Sequence, residues 1–293
     1  HRPIAIGVQG LADLFILMRI PFDSNEARRV NAQIFERMYY YALEKSSELA
    51  SIDGVYSSYA GSPASKGLLQ FDLWELEGAK ANLANPENTI TFPQEMDWTT
   101  LKSVIQVTGL RNSLMIAPMP TASTAGIMGN SPCFEPLNSI IYKRRIKDGE
   151  FIIINKQLIN DLLELGLWDN YMRDEILAQG GSIQNISDIP KNIRELYKTV
   201  WDMSPKVILN MAIDRAIYVD QSQSMNLYVP SPNLAILSQV HFYGWRRGIK
   251  TGSYYIWGRA PIDAQKIQIS KPVDKMIKKV GNKSPQKNAD APV

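Results

Sequence analysis

Cysteine and histidine are almost missing from this chain of 293 residues, which has one Cys (Cys133) and two His (His1 and His241). A single cysteine excludes an internal disulfide, a multi-cysteine zinc site and a dithiol redox pair within the chain. Two histidines give no basis for a histidine-built metal site. No apolar run reaches the roughly 18 residues that a membrane-spanning helix needs. A surplus of one charge is lacking too: 32 basic residues against 29 acidic ones give +3, too little to imply nucleic acid as a partner. In residues 271–293, six lysines and two aspartates sum to +4, which leaves −1 for the other 270 residues, so the basic pI comes from a tail. There is neither an initiator Met nor the charged-then-apolar pattern of a signal peptide. The chain opens at His1 and runs straight into strand-like sequence, so it reads as a piece of a longer polypeptide.

What is present is ordinary for a globular protein: 45% hydrophobic and 21% charged residues, with 18 Gly and 17 Pro. Collagen-like, disulfide-rich and wholly disordered classes are excluded. The length fits one large α/β domain or two ordinary ones.

Periodicity organises the chain. A short apolar segment at residues 4–8 leads through Gly7 and Gly10 into helical spacing at Leu11, Phe15 and Met18, ended by Pro21. Residues 23–26 form a helix-start signal, and Val30, Ile34, Met38, Ala42 and Leu49 mark one long amphipathic helix over residues 27–51. Residues 77–97 contain Pro86 and Pro93 and read as an irregular surface excursion. Helices are expected at 98–107, 157–165, 193–216 and 233–245. Strands are expected at 113–117, 151–154, 218–220, 225–229 and 253–257. Such alternation argues for parallel βα units. The tail from Lys271 has no core-forming pattern and is expected to be disordered.

The strongest local signal is Pro118-Met119-Pro120 followed by Thr121-Ala122-Ser123-Thr124. Two prolines delay any helix until Thr121. A helix starting there presents unpaired N–H groups beside three hydroxyls and no carboxylate, the chemistry of a phosphate cradle. A plain N-cap explains the same residues, and caps far outnumber anion sites. Tyr254 and Tyr255 are the second signal. Neighbouring side chains on a strand point to opposite faces, so a stacked pair requires a local bend. Stacked phenols are able to relay an electron and a proton together, whereas the commoner arrangement is one core and one surface tyrosine.

The other features read as structural. Gly7-Val8-Gln9-Gly10 lacks the spacing of a dinucleotide loop. Cys133 lies in a turn with no neighbouring His, Lys or Arg in sequence, which suggests an inert thiol. His241, among Phe242, Tyr243 and Trp245, reads as a core or interface histidine, and Lys143, Arg144 and Arg145 read as a solvated edge.

Taken together, several segments resemble one family, the large catalytic subunit of class I ribonucleotide reductase. They are residues 2–13 (RPIAIGVQGLAD), 117–125 (APMPTASTA), 197–201 (YKTVW), 220–226 (DQSQSMN), 241–245 (HFYGW) and 250–255 (KTGSYY), in the family's order. The resemblance implies an α/β fold, part of the ten-stranded α/β barrel of that family. Residues 1–270 would be the C-terminal portion of the barrel domain, with 77–97 an insertion and 271–293 a disordered basic tail. It implies an oxidoreductase of deoxyribonucleotide biosynthesis for DNA replication, reducing ribonucleoside diphosphates by a radical mechanism in the cytoplasm. Thr121, Ala122, Ser123 and Thr124 would hold the substrate diphosphate. Tyr254 and Tyr255 would carry the radical from a partner subunit.

The implied partners are a metal-containing small subunit that supplies the radical, the missing N-terminal part of the large subunit, a second large subunit and a thioredoxin- or glutaredoxin-type reductant. Neither nucleic acid nor membrane is among them. No cofactor or metal is expected on this segment, and ATP and deoxynucleotide effectors would bind outside it. The family's radical cysteine, with its neighbouring Asn and Glu, and its redox cysteine pair belong upstream of His1, and Cys133 matches none of them. The mobile cysteine pair of the family's C-terminus has no counterpart in residues 271–293. A non-catalytic remnant, or a split-gene piece that acts only through a complementing chain, is the alternative.

Overall fold

A computed structural model describes residues 1–81, 94–146 and 149–259. The expected basic tail, and residues 82–93 of the expected insertion, lie outside the described residues. The chain divides into two compact units: His1–Asn138 with Asn192–Pro261, and one whose described part is Ser139–Lys191.

The first unit is built around a long helix. After α1 (Leu11–Leu17), Ser24 accepts a hydrogen bond from the Ala27 N–H and starts α2 (Asn25–Asp53), which ends at Gly54 with φ 82°. The expected helix is there, but its buried stripe is rotated from the one read in the sequence. Phe35, Tyr39, Leu43 and Ala50 are buried, while Ile34, Met38 and Ala42 sit at the margin of that face. A 3-10 turn (Ala64–Lys66) precedes α3 (Gln70–Ala81), and α4 (Trp98–Thr108) is capped by Asp97 through the Thr100 N–H. The expected irregular excursion is therefore helical at its start. At its other end, Glu36 of α2 accepts hydrogen bonds from the backbone N–H groups of Glu95 and Met96 and from Trp98 Nε1.

The short helix α5 (Ala122–Met128) ends this stretch, and α8 (Lys191–Leu196), all but its first residue, resumes the unit. The single long helix expected over 193–216 is interrupted. Thr199 turns the chain by donating its N–H and hydroxyl to Asp202, and Ser204-Pro205 restarts it as α9 (Pro205–Ala216). The residue before a proline avoids helical backbone angles, which explains the break.

Four extended segments lie side by side in this unit. The Ile4 and Ile6 N–H groups donate to Leu114 O and Met115 O, with a parallel bridge from Ile6 to Ile116. Gln221 and Ser224 donate to Ile116 O and Pro118 O. Farther along, β3 (Leu227–Tyr228) pairs in parallel with β4 (Ile256–Trp257), and α10 (Leu234–Arg246) connects them. Asp220 fastens the middle of this set by accepting from the Met115 and Ile116 N–H groups at 2.8 Å each. Among the described residues these strands do not close into a barrel, and residues 218–220 form turns instead of the expected strand.

Two apolar cores flank the strands. One joins α1, the start of α2 and α9 with Phe134, Met225 and Leu227; the other joins α2 and α4 with Phe71, Met115, Ile116 and Tyr218. Each fully buried Leu, Ile or Phe adds about 1.5–3 kcal/mol relative to exposure. No helix among the described residues is long and apolar enough to cross a membrane.

In the second unit β1 (Ile141–Ile146) pairs antiparallel with β2 (Gly149–Ile154), in register from Ile141↔Ile154 to Ile146↔Gly149. This hairpin departs from the expected parallel pattern, and the basic run 143–145 forms part of β1 itself. The helices α6 (Lys156–Glu164) and α7 (Asn170–Ala178) follow, capped by Asn155 and Asp169. Ile140, Leu158, Leu162, Met172, Ile176 and Ile183 make its core.

Candidate functional site

The proline-flanked loop sits where the strand segment ending at Pro118 gives way to α5. Thr121 occupies the N-cap position of α5, yet its side chain does not cap that helix. Its Oγ1 instead accepts a hydrogen bond from the Cys133 N–H at 2.7 Å. The plain-cap explanation of Thr121 is thereby removed. The Thr124 hydroxyl lies 2.9 Å from Gln9 Oε1 and 3.2 Å from Thr121 O as a donor to either. Ser123 is exposed. Ala122 is the first residue of α5.

Gln9 belongs to the glycine-bearing turn, read above as purely structural. The turn holds the loop's surroundings together: the Gly10 N–H donates to Ser131 O, and Asp13 accepts from the Ser131 N–H. Gly10 has φ 77°, a backbone region that suits glycine, so its residue type is set by this turn. Asn130 Oδ1, Ser131 Oγ and Asn226 Oδ1 are buried without a partner. Buried polar atoms of this kind are rare and mark places where a polar ligand or water is expected.

Tyr254 and Tyr255 are in ring contact. Tyr254 lies in a bend just before β4, and this brings its ring to 4.4 Å from that of Tyr255 with the planes at 65°. The contact is edge-to-face, not parallel stacking. Both tyrosines are about half exposed, at 52% and 54%. A hydrogen bond to the Tyr255 phenol, reinforced by its charge, holds the Tyr254 pKa above the ordinary phenol value. The backbone is fixed by Tyr254 N–H to Met225 O at 2.6 Å and Leu227 N–H to Tyr255 O at 2.9 Å.

A path from the loop to the tyrosines runs through Glu135, which sequence reasoning missed. From Thr121 the hydrogen bond leads to Cys133, two residues before Glu135. The buried Glu135 carboxylate then accepts from the Asn226 N–H at 2.7 Å, Asn226 Nδ2 at 3.2 Å and the Tyr228 hydroxyl at 3.0 Å. Asn226 and Tyr228 flank Leu227, whose N–H donates to Tyr255 O. Burial raises the Glu135 pKa despite these bonds and the nearby Arg215 charge.

Arg215 is the centre of this buried ground and is wholly shielded from solvent. Its Nε donates to Gln223 Oε1 at 2.6 Å, Nη1 donates to Asn31 Oδ1 at 3.1 Å, and the guanidinium lies 4.3 Å from the Phe134 ring centroid. Burial lowers its pKa to about 9. The neighbouring Asp214 is held by Arg28 through two bonds of 2.6 and 2.7 Å. Neither a buried Arg nor a lone Glu before a proline has a local sequence pattern, so no signal marked them.

Cys133 has a charged neighbour after all, because Arg215 lowers its pKa slightly. Burial and the Glu135 charge outweigh that and push the thiol up to about 12. His241 is at the surface and not in a core; its Nδ1 lies 2.8 Å from Leu237 O and its ring lies against Gly252. Lys250 Nζ donates to Gln70 Oε1 and to the carbonyls of Val219, Asp220 and Gln221 at 2.8 to 3.1 Å, tying the site's strands to α3.

Comparison with known proteins shows the family. The chain is 52% identical over 282 residues to the ribonucleoside-diphosphate reductase large subunit of Plasmodium falciparum (isolate Dd2), covering 96% of this chain and 33% of that protein. The corresponding subunit of Danio rerio is 54% identical over 257 residues, 87% of this chain and 30% of that one. Among solved structures, the class Id ribonucleotide reductase alpha subunit of Actinobacillus ureae matches with a TM-score of 0.65 and 25% identity, over 89% of this chain and 39% of that one. The chain thus spans about a third of the length of the curated relatives it matches. A family model described as ribonucleotide reductase, barrel domain, matches residues 1–255, and the chain belongs to that family.

Proposed function

We propose that this chain is the C-terminal portion of a class I ribonucleotide reductase large subunit and supplies its substrate-phosphate loop and its radical relay. The whole enzyme would reduce ribonucleoside diphosphates to 2′-deoxyribonucleoside diphosphates. Residues 1–270 would form part of a ten-stranded α/β barrel, and 271–293 a disordered tail. Family membership and the names of the relatives support this reading.

The observation that carries it is the ring contact between Tyr254 and Tyr255, whose centroids lie 4.4 Å apart. When one phenol loses an electron it becomes strongly acidic, so the electron and the O–H proton leave together. A neighbouring phenol in hydrogen-bond contact gives up both in turn, and the oxidising equivalent moves one residue inward. The metal-containing small subunit would supply the first oxidising equivalent. This chain's own task is to hold the two rings in contact.

At the loop, the Thr121 oxygen accepts from the Cys133 N–H, which leaves its own proton for a phosphate oxygen. Ser123 presents a second hydroxyl, and Thr124 would turn from Gln9 to add a third. Hydroxyl bonds to a charged phosphate are stronger than those between neutral groups. A second large subunit, the remaining part of this one and a thioredoxin- or glutaredoxin-type reductant complete the proposed assembly. ATP and deoxynucleotide effectors would act outside these residues, and the setting would be the cytoplasm.

The test is Tyr254→Phe and Tyr255→Phe in the full-length large subunit assembled with its small subunit. Each variant is expected to abolish deoxynucleotide formation while leaving the dissociation constant for a ribonucleoside diphosphate unchanged. Phenylalanine keeps the ring contact but has no O–H to lose. Near-parental turnover in either variant would remove that residue from the relay.

A further inference from the structure

The aromatic contact at the exposed edge does not stop at the two tyrosines. Tyr255 and Trp257 lie two residues apart on either side of Ile256, so they share one face of the strand. Their ring centroids are 5.8 Å apart with the planes at 58°. Tyr255 is thus the middle member of a row, touched by Tyr254 on one side and Trp257 on the other. Trp257 is 49% exposed, and the Val229 N–H donates to its carbonyl at 2.8 Å, which fixes the backbone beneath the ring. Three aromatic rings thus follow one another along this edge of the strand.

We infer that Trp257 is a third redox-active residue, which passes an oxidising equivalent to Tyr255. This deepens the relay reading and rests on it for its place in the enzyme. The step balances as follows. A one-electron oxidant removes an electron from the Trp257 indole, whose N–H proton leaves to the surrounding water. The neutral indolyl radical then takes one electron from Tyr255 and one proton from water, which restores the indole. The Tyr255 phenol loses that electron and releases its O–H proton to water, leaving a phenoxyl radical. In the enzyme the oxidant would be a radical borne by the partner subunit. Indole and phenol radicals lie close in oxidising power, and proton release favours the phenoxyl at neutral pH, so the transfer runs from Trp257 toward Tyr255.

The test needs no turnover. Pulse radiolysis of the full-length large subunit in azide solution generates azide radicals, which oxidise exposed tryptophans selectively. Decay of the indolyl absorption and growth of the phenoxyl absorption then report transfer within the protein. One fast first-order phase is expected to disappear in Trp257→Phe and equally in Tyr255→Phe, while Tyr254→Phe keeps it. Trp201→Phe is the control for the other Trp–Tyr contact of this unit open to solvent, Trp201 with Tyr228 at 5.5 Å, and is expected to keep the phase as well. Trp257→Tyr, which preserves an aromatic ring at the edge, guards against loss of fold and is also expected to lose the indolyl decay.

A phase unchanged in Trp257→Phe would overturn the inference. So would a phase that survives Tyr255→Phe, because Tyr255 would then not be the acceptor. Failure of the relay itself shows up separately, as retained turnover in the tyrosine variants, and leaves this transfer measurable.

Discussion

Two regions of the same unit are built on opposite plans. Around Arg215 and Glu135, charged side chains are sealed from water and held by hydrogen bonds and a ring face. At Tyr254, Tyr255 and Trp257, apolar rings stand half in water with few polar restraints beyond the backbone. The first plan suits residues that position others, since a buried, fully bonded charge has one geometry. The second holds the residues of the proposed relay, where protons would have to come and go at the phenols and the indole. The difference teaches that the buried charges owe their positions to partners brought together by folding, whereas the edge rings are placed by backbone hydrogen bonds and by one another.

The comparison is most severely tested by Arg215→Ala. It strands Asn31, Gln223 and the neighbouring carboxylates in a dry interior, and the expected loss is about 3–5 kcal/mol of stability, read from urea denaturation. A loss within the range of ordinary surface substitutions would mean that the buried node is not a support. Next in size is the loop. Ser123→Ala or Thr124→Ala in the full-length subunit is expected to weaken ribonucleoside diphosphate binding by about 1.5–3 kcal/mol, each through one charge-assisted bond. Calorimetry with the diphosphate and with the bare nucleoside separates a phosphate contact from a sugar contact, and equal weakening of both would reassign the loop.

Glu135 gives a smaller and pH-dependent effect. Its folded-state pKa is raised by burial, so the folded chain binds its proton to higher pH than the unfolded chain does. Its contribution is therefore full below the ordinary glutamate range and is lost as pH rises from there through the raised folded-state value. Glu135→Gln, which has no proton to lose, is expected to flatten this part of the stability-against-pH curve. Urea midpoints across mildly acidic pH measure it, and parallel curves for parent and variant would contradict the assigned direction. The smallest effect is expected at the exposed edge, where Tyr254→Phe should leave the denaturation midpoint unchanged. A clear drop would show that the pair supports the fold.

Much of the local architecture was legible. The helix-start signal at residues 23–26 begins α2, and the periodicity placed α2, α4, α6 and α10 within a few residues. The need for a bend at Tyr254 was legible too, because strand geometry forbids neighbouring rings from touching without one. Other features were not. Thr121 looked like a cap because local pattern shows a hydroxyl before a helix, not the Cys133 N–H that takes its place. The helix over 193–216 looked continuous because apolar spacing persisted across Thr199 and Asp202, whose hydrogen bonds turn the chain. The strand at 151–154 was read as part of a parallel pattern because an apolar run does not reveal the direction of its partner.

By itself the sequence determined what depends on neighbours along the chain: caps, breaks, the hydroxyl cluster at 121–124, the adjacent tyrosines, and the ordered segments that mark the family. The tertiary structure alone decided which distant residues meet. Arg28 finds Asp214 across 186 positions, Glu135 reaches Asn226 across 91, and Arg215 is enclosed by residues of three separate segments. The physical reason is that burial and hydrogen-bond pairing depend on distance in space. A charge becomes a positioning group only when folding removes water from around it and brings its partners within bonding distance.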